Sequence, residues 1–434
     1  MNNQKRRTFL KLSGMAATAS ALPFNIIRAT PINKSNNADT LKVGLIGCGG
    51  RGSGAASQAL SADPNVVLHA MGDIFADQLQ KSLSNLKEIH NDKANVSPEH
   101  QYIGFDAYQK VLASGVDVVV LATPPGFRPL HIEAAVDAGK HIFCEKPAAV
   151  DAPGIRRVLE AAKKAKAKNV SIVSGFCWRF HEPKRATFGK IVDGEIGQVS
   201  AVYNTYNTGA TYRSWQPENP QLDSAEWQLR NWPFFNWLSG DHLIEQAVHS
   251  VDMMSWAFGD KLPLSAVGTG GRQVRVEERY GHIFDHFAIA YDYPDDAKGY
   301  HFSRQQAGCQ NSYAVESWGT KGHAIADCSR NAHEIKTGSK LWTYSGKQND
   351  MYQTEHNELF AAIRAGKTIS QGEAVATSTM IAIMGRMAAY TGKKITWEEA
   401  FNSTEQLGPS MDTYSFDLSI PVAPVAKPGI TAFK

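Results

Sequence analysis

From Lys42 to about Gly175 short β-branched runs alternate with longer amphipathic stretches. The runs are KVGLI (42–46), VVLHAMG (66–72), VDVVVLA (116–122), KHIFCE (140–145) and VSIVSGF (170–176). Continuous apolar runs of this length, separated by segments of helical period, predict a parallel sheet with helical crossovers. One intervening stretch, PGIRRVLEAAKKAKAKN (153–169), ends in a lysine-rich turn that suits the negative end of a helix dipole. Residues 40–175 are therefore predicted to form an α/β domain.

After about residue 198 the pattern changes to longer alternating strands, VSAVYNTYNT, SAVGTGGRQVRV, FDHFAIAYDY, GYHFSRQQ and SYAVESWGTKGHAIAD, with one helical segment at about 243–257. Runs of strands around a helix predict an α+β second domain, residues 176–405, on an open, mainly antiparallel sheet. Residues 210–237 hold four tryptophans and little periodicity, the mark of a long functional loop, a domain or subunit interface, or a sugar-stacking surface. Two late helices, TEHNELFAAIRAG and GEAVATSTMIAIMGRMAAYTG, each close on a glycine. Residues 406–434 read as a Pro-rich C-terminal extension.

Composition narrows the partners. The 434 residues are 43% hydrophobic and 20% charged, with a net charge of +3, so no basic excess points to nucleic acid. A small-molecule partner is expected. The first 30 residues join Arg6 and Arg7 to Phe9, Leu10 and Lys11 ahead of a short Ala-rich stretch, which resembles a twin-arginine export signal. A periplasmic location is expected, with no membrane span in the mature chain. The five cysteines (48, 144, 177, 309, 328) are spread out and odd in number, unlike a disulfide framework.

The chemistry starts at GCGGRG (47–52), directly after the first predicted strand. Gly47, Gly49 and Gly52 have the G-x-G-x-x-G spacing, with Gly50 and Arg51 inside the loop. The first glycine serves a tight turn, the second the approach of a pyrophosphate, and the third helix-on-strand packing at a helix N-terminus. Asp73, 21 residues after Gly52, ends the next predicted strand, where a carboxylate can accept from an adenosine ribose diol. An acid there, followed by Ile74 and Phe75, favours NAD over NADP. Thr123, Pro124, Glu145 and Lys146 fall at carboxyl ends of later strands, where ligands bind in a doubly wound sheet.

Together GLIGCGGRG, Asp73, LATPP, AGKHIFCEKP and HLIEQAVHSVD resemble the Gfo/Idh/MocA oxidoreductases, over nearly all of the mature chain. The resemblance implies NAD as cofactor, a Rossmann domain followed by the α+β domain, and a homo-oligomer formed through the open sheet. It implies that Lys146 contacts both the nicotinamide and the reacting sugar hydroxyl. A family Asp and His four apart on a helix, then another Asp, map onto Glu245, His249 and Asp252. This chain departs in having Glu at 245 and SGD (239–241) in place of a glycine triplet. On a continuous helix, positions i and i+4 share a face, so Glu245 and His249 are expected to point into one cleft. The resemblance further makes His131 a nicotinamide-side contact and Arg179, in WRF, a candidate for the cofactor or substrate cleft, with Asp252 on the substrate side. No metal is assigned, since His242, His282, His286 and His301 make no helical ligand pair.

The expected function is NAD-dependent oxidation or reduction of a ring hydroxyl in a sugar or glycoside, glycoside 3-dehydrogenase being its most specific form, with a tightly held cofactor. His249, ordinarily titrating near 6.5, suits a general base. Two rivals stand beside it. One is a redox-assisted glycoside hydrolase like those of family 109, whose pattern lacks the EKP lysine; the other is a non-catalytic sugar- or nucleotide-binding protein.

Overall fold

In the first domain six strands run parallel: β1 (Leu41–Ile46), β2 (Val66–Asp73), β3 (Gln101–Ile103), β4 (Val118–Leu121), β5 (His141–Cys144) and β6 (Ile172–Ser174). Their spatial order is β3-β2-β1-β4-β5-β6. The order reverses between β1 and β4, and in such sheets the ligand crevice lies at the carboxyl ends of the two strands that flank the reversal. Helices α1 (Gly50–Ala62), α2 (Ala76–His90), α3 (Ala107–Ala113), α4 (Arg128–Asp137) and α5 (Ala152–Lys168) make the crossovers. Strand β4 is buried along its whole length, as its unbroken VVVL requires. The edge strand β3 is missing from the predicted runs because its three residues, QYI, are partly exposed and carry no apolar period.

The computed structural model describes residues 26–27, 39–209, 215–217, 221–409 and 413–434. Most of the expected export signal lies outside the described residues. Only Ile26–Ile27 of that stretch is described, as a short strand antiparallel to Thr368–Ile369.

Helix α6 (Glu182–Val192) leads into the second domain, whose sheet has nine strands. They are β7 (Val199–Thr208), β8 (Ser265–Gly271), β9 (His286–Asp292), β10 (Lys298–Gln305), β11 (Ala314–Gly319), β12 (Gly322–Asp327), β13 (Ala332–Thr337), β14 (Lys340–Thr343) and β15 (Ile395–Thr396). The order is β14-β13-β12-β11-β7-β10-β9-β8-β15, antiparallel except where β7 lies parallel to β10. Helices α7 (Val248–Ala257), α8 (Met351–Arg364), α9 (Gly372–Thr391) and α10 (Trp397–Asn402) complete it. Helix α9 is buried on nearly every side, packed between α5 of the first domain and β8 of the second, and is the seam of the molecule. On the sheet's other face Val267, Tyr300, Phe302 and Trp318 are exposed.

The helix expected at 243–257 is broken. His242–Glu245 forms one turn, Gln246 and Ala247 a bend, and α7 begins only at Val248. Asp241 sets this local path at φ +78°, accepting from His242 N–H at 2.5 Å, Phe284 N–H at 2.8 Å and the Tyr390 hydroxyl at 2.5 Å.

His131, His282 and His301 are buried, and burial pushes their pKa values down to about 3, 4 and 3. In the unfolded chain each titrates near 6.5, so as pH falls through that value the unfolded state takes up protons that the folded state refuses. Stability is thus lost as pH falls, by about 2 kcal/mol per ring at about pH 5. Urea unfolding midpoints should drop steeply between neutral pH and about pH 5. Pairing each ring with a new carboxylate should flatten the profile; a pH-independent midpoint in the wild type would show that these rings carry charge in the native state.

Candidate active site

The glycine loop is built for close backbone approach. Gly47 has φ +93° and donates its N–H to Gly72 O at 2.9 Å, and a Cβ on Gly52 would lie 1.9 Å from Gly47 O. Only hydrogen fits there, so α1 packs directly on the end of β1. Gly49 and Gly50 differ: a Cβ on either meets nothing within 4 Å. Gly49 also lines a cavity of about 570 Å³ at the carboxyl ends of β1, β2 and β4, together with Gly47, Asp73, Thr123, Pro124 and His131. An open cradle at a helix N-terminus, with an acid across it, fits a dinucleotide. Asp73 accepts from Cys48 N–H at 2.6 Å on one oxygen and from Phe75 N–H at 2.9 Å on the other. Each oxygen keeps lone-pair capacity for a ribose hydroxyl. Burial raises the Asp73 pKa, and the backbone donors work against that rise.

Thr123 Oγ1 lies 3.1 Å from His131 Nδ1 on the first turn of α4. Burial, reinforced by Arg128, holds this imidazole neutral, and its ring packs 4.5 Å from Tyr108. Arg128 itself donates to Pro147 O at 2.6 Å and so fastens α4 to the EKP turn, a role without a sequence signal. The Lys146–Pro147 peptide is cis. Arg51 and Glu145, both expected at the cofactor, are ion-paired to each other; Arg51 also reaches Glu355 at 3.2 Å and Gln58 at 3.1 Å. They tie the glycine loop to the end of β5.

Lys146 Nζ donates to the backbone carbonyl of Glu245 and lies 3.4 Å from its Oε1. His249 sits at the start of α7 with its ring 5.3 Å from Trp178 and 6.0 Å from Phe176, and its buried Nδ1 has no partner among the described residues. Burial pushes its pKa well below 6.5, and the charges of Lys146, Arg51 and Lys184 add to the effect. Because the helix is broken, Glu245 and His249 do not share a face through helical period. Both instead lie within the electrostatic reach of Lys146.

The substrate-side expectation for Arg179 and Asp252 needs correction. Both are buried, paired at 2.8 Å, with Arg179 also 2.6 Å from Asp260 and Asp252 accepting from Ser378 at 2.7 Å. Burial removes these groups from water, and the pair compensates that cost only by staying together. Their role is to fix α7 beneath the site. Aromatic residues gather near His249, and beyond the WRF segment they carry no sequence signal. Trp178 stacks with Tyr206 at 6.1 Å, Tyr206 meets Tyr313 at 5.0 Å, and Lys184 Nζ lies 5.2 Å over Trp178. Tyr206 and Tyr313 sit at or beside strands, where an aromatic is ordinary and gives no signal.

A family model described as "Oxidoreductase family, NAD-binding Rossmann fold" matches residues 41–173, and its companion, "Oxidoreductase family, C-terminal alpha/beta domain", matches residues 189–396. The chain is 24% identical to a myo-inositol 2-dehydrogenase of Thermotoga maritima over 376 residues, 85% of this chain and 99% of that protein. It is 27% identical to an inositol 2-dehydrogenase of Rhizobium meliloti over 267 residues, 59% of this chain and 73% of that protein. Its fold is similar to that of a levoglucosan dehydrogenase solved with NADH and levoglucosan (TM-score 0.67, 19% identity, 82% of this chain and 99% of that one). It is also similar to an aldose–aldose oxidoreductase of Caulobacter crescentus (TM-score 0.65, 17% identity, 82% of this chain and 99% of that one).

The two glycines separate folding from binding. Gly49→Val should fill the cradle and abolish nucleotide binding while costing at most about 1 kcal/mol of stability. Gly52→Ala should lower stability by about 1–3 kcal/mol, since the new methyl forces α1 off β1. Thermal melts with nucleotide titrations check both, and a Gly49→Val protein that binds nucleotide normally would place the cradle elsewhere.

Proposed function

The chain belongs to the Gfo/Idh/MocA oxidoreductase family, and from that premise we propose that it oxidises or reduces a ring hydroxyl of a sugar or glycoside with tightly held NAD. The observation that carries this is the meeting of Lys146 with Glu245, within electrostatic reach of His249, in a domain whose glycine loop and Asp73 line a cavity fitted to a dinucleotide. The relatives named above include dehydrogenases of inositol and levoglucosan, both polyhydroxylated rings, which supports a cyclic polyol as substrate. Oxidation at carbon 3 of a glycoside is the most specific form of the proposal; it would acidify the neighbouring C–H and prepare the glycosidic bond for elimination by a partner enzyme.

Bound NAD supplies the hydride acceptor or donor. The residues of the chain handle the substrate oxygen and its proton. Lys146 directs donors at Glu245 and, with three N–H bonds, keeps one for the substrate oxygen, where it stabilises developing alkoxide charge. His249, held neutral by burial, has a lone pair to take the hydroxyl proton and returns it in the reverse direction. Glu245 anchors Lys146 through its backbone carbonyl, so a Glu in place of the family's Asp leaves that anchor unchanged. Trp178 and Tyr206 pack on each other beside His249 and make that side of the site aromatic. Arg6 and Arg7 support export of the folded, loaded protein.

A panel of sugars and glycosides, followed through nicotinamide absorbance, tests the reaction. Lys146→Ala and His249→Ala should each lower turnover by about 10²–10⁴-fold while keeping their bound nucleotide. Unchanged turnover in Lys146→Ala would refute the proposed chemistry, and aglycone release from an aryl glycoside by the pure enzyme would favour a hydrolase. The exposed apolar sheet face supports the expected homo-oligomer, with Tyr300 and Phe302 38% and 39% exposed on β10. Tyr300→Glu with Phe302→Glu should yield a monomer in light scattering; an unaltered mass would move the interface to another surface.

A further inference from the structure

The cavity has a second wall that the nucleotide-binding domain does not supply. Besides Asp73 and the glycine loop it is lined by Trp215, Leu229, Arg230 and Trp232 of the tryptophan-rich segment and by Tyr414 of the C-terminal extension. Arg230 is the hinge-pin of this wall. Its guanidinium lies 3.9 Å over the ring of Phe75 and 5.1 Å over that of Trp215. It donates to both oxygens of Asp77 at 3.1 and 3.2 Å and to Glu226 at 2.9 Å. Phe75 and Asp77 open α2, immediately after Asp73, so one arginine of the second domain closes the edge of the cleft next to the ribose-binding acid.

The extension completes the closure. Tyr414 stacks with Phe105 at 6.1 Å and with Trp237 at 5.8 Å, and meets Phe127 edge-on at 5.0 Å. Phe416 packs 5.7 Å from Phe75 and 5.1 Å from Phe105. Beyond them the chain is stitched to the tryptophan-rich segment through Ala225 N–H to Leu418 O at 3.1 Å, Ile420 N–H to Asp223 O at 2.7 Å and Gln228 Nε2 to Ile420 O at 2.6 Å. Extension and segment therefore form one unit. It holds the first domain, at the cavity edge, through ring contacts and the Arg230–Asp77 pair.

We propose that Arg230, Tyr414 and Phe416 belong to the cofactor site as a strap that keeps the dinucleotide from leaving, so that its release requires these contacts to part. The proposal rests on the cofactor assignment made above and adds the residues that set the rate of exchange. The first domain alone leaves the cavity open on this side, and nothing in G-x-G-x-x-G or Asp73 makes release slow.

Full-length protein loaded with labelled NAD and chased with excess unlabelled NAD gives the release rate directly. Tyr414→Ala with Phe416→Ala should speed release about tenfold, because loss of a single aromatic contact is worth up to about that factor. Arg230→Gln, which leaves the extension intact, should act in the same direction and covers the case in which the double variant does not fold. Release at the wild-type rate from folded, loaded Arg230→Gln protein would overturn the strap and leave the cofactor assignment standing. Wild-type protein that carries no nucleotide and takes up none would overturn that assignment, and the strap with it.

Discussion

The contact between Lys146 and the Glu245 carbonyl is the one on which the rest of the structure turns. It joins the end of a parallel strand in one domain to a broken helix in the other, and each side is held by buried polar contacts. On the first side Arg128 grips Pro147 and Arg51 grips Glu145; on the second, Arg179 grips Asp252 and Asp260 beneath α7. Polar groups buried in this way are stable only when paired, so the pairings define where the two domains can sit. Helix α9, buried on almost every face, is the solvent-free seam that this geometry requires.

Burial also sets the chemistry. His249 and His131 are kept neutral because a charged imidazole would lie against arginine or lysine in a dry site. Such a His249 is an uncharged ring at neutral pH instead of a second cation near Lys146. Asp73, by contrast, is steadied by backbone N–H groups from the glycine loop and from the start of α2, so the acid proposed for the ribose also fastens the loop proposed for the phosphates.

Much of this was legible in the sequence because its signals are local. Strand β1, the loop at Gly47–Gly52, Asp73 and the EKP strand end are each carried by short stretches whose apolar runs, glycines or spacing have one physical explanation. Other features depend on partners distant in the chain and leave no local mark. Asp241, held by Phe284 and Tyr390, fixes where the turn at His242–Glu245 begins, and the helical spacing of Glu245 and His249 hides the break that follows it. Arg179 and Asp252 sit at motif positions that suggest a substrate, yet they are spent on each other. The tryptophan-rich segment, open between an interface and a sugar platform, divides. Trp227 and Trp237 are buried in an aromatic core, while Trp215 and Trp232 face the dinucleotide cavity. Tyr414, within a Pro-rich extension, had no signal at all.

The proposed site holds one nicotinamide dinucleotide between Asp73 and Lys146. The most direct measurement is the identity and amount of nucleotide released when the purified protein is denatured. The account predicts NAD or its reduced form at about one per chain, lost when the cradle at Gly49 is filled. Protein that releases no nucleotide, and acquires none after incubation with NAD, would contradict it.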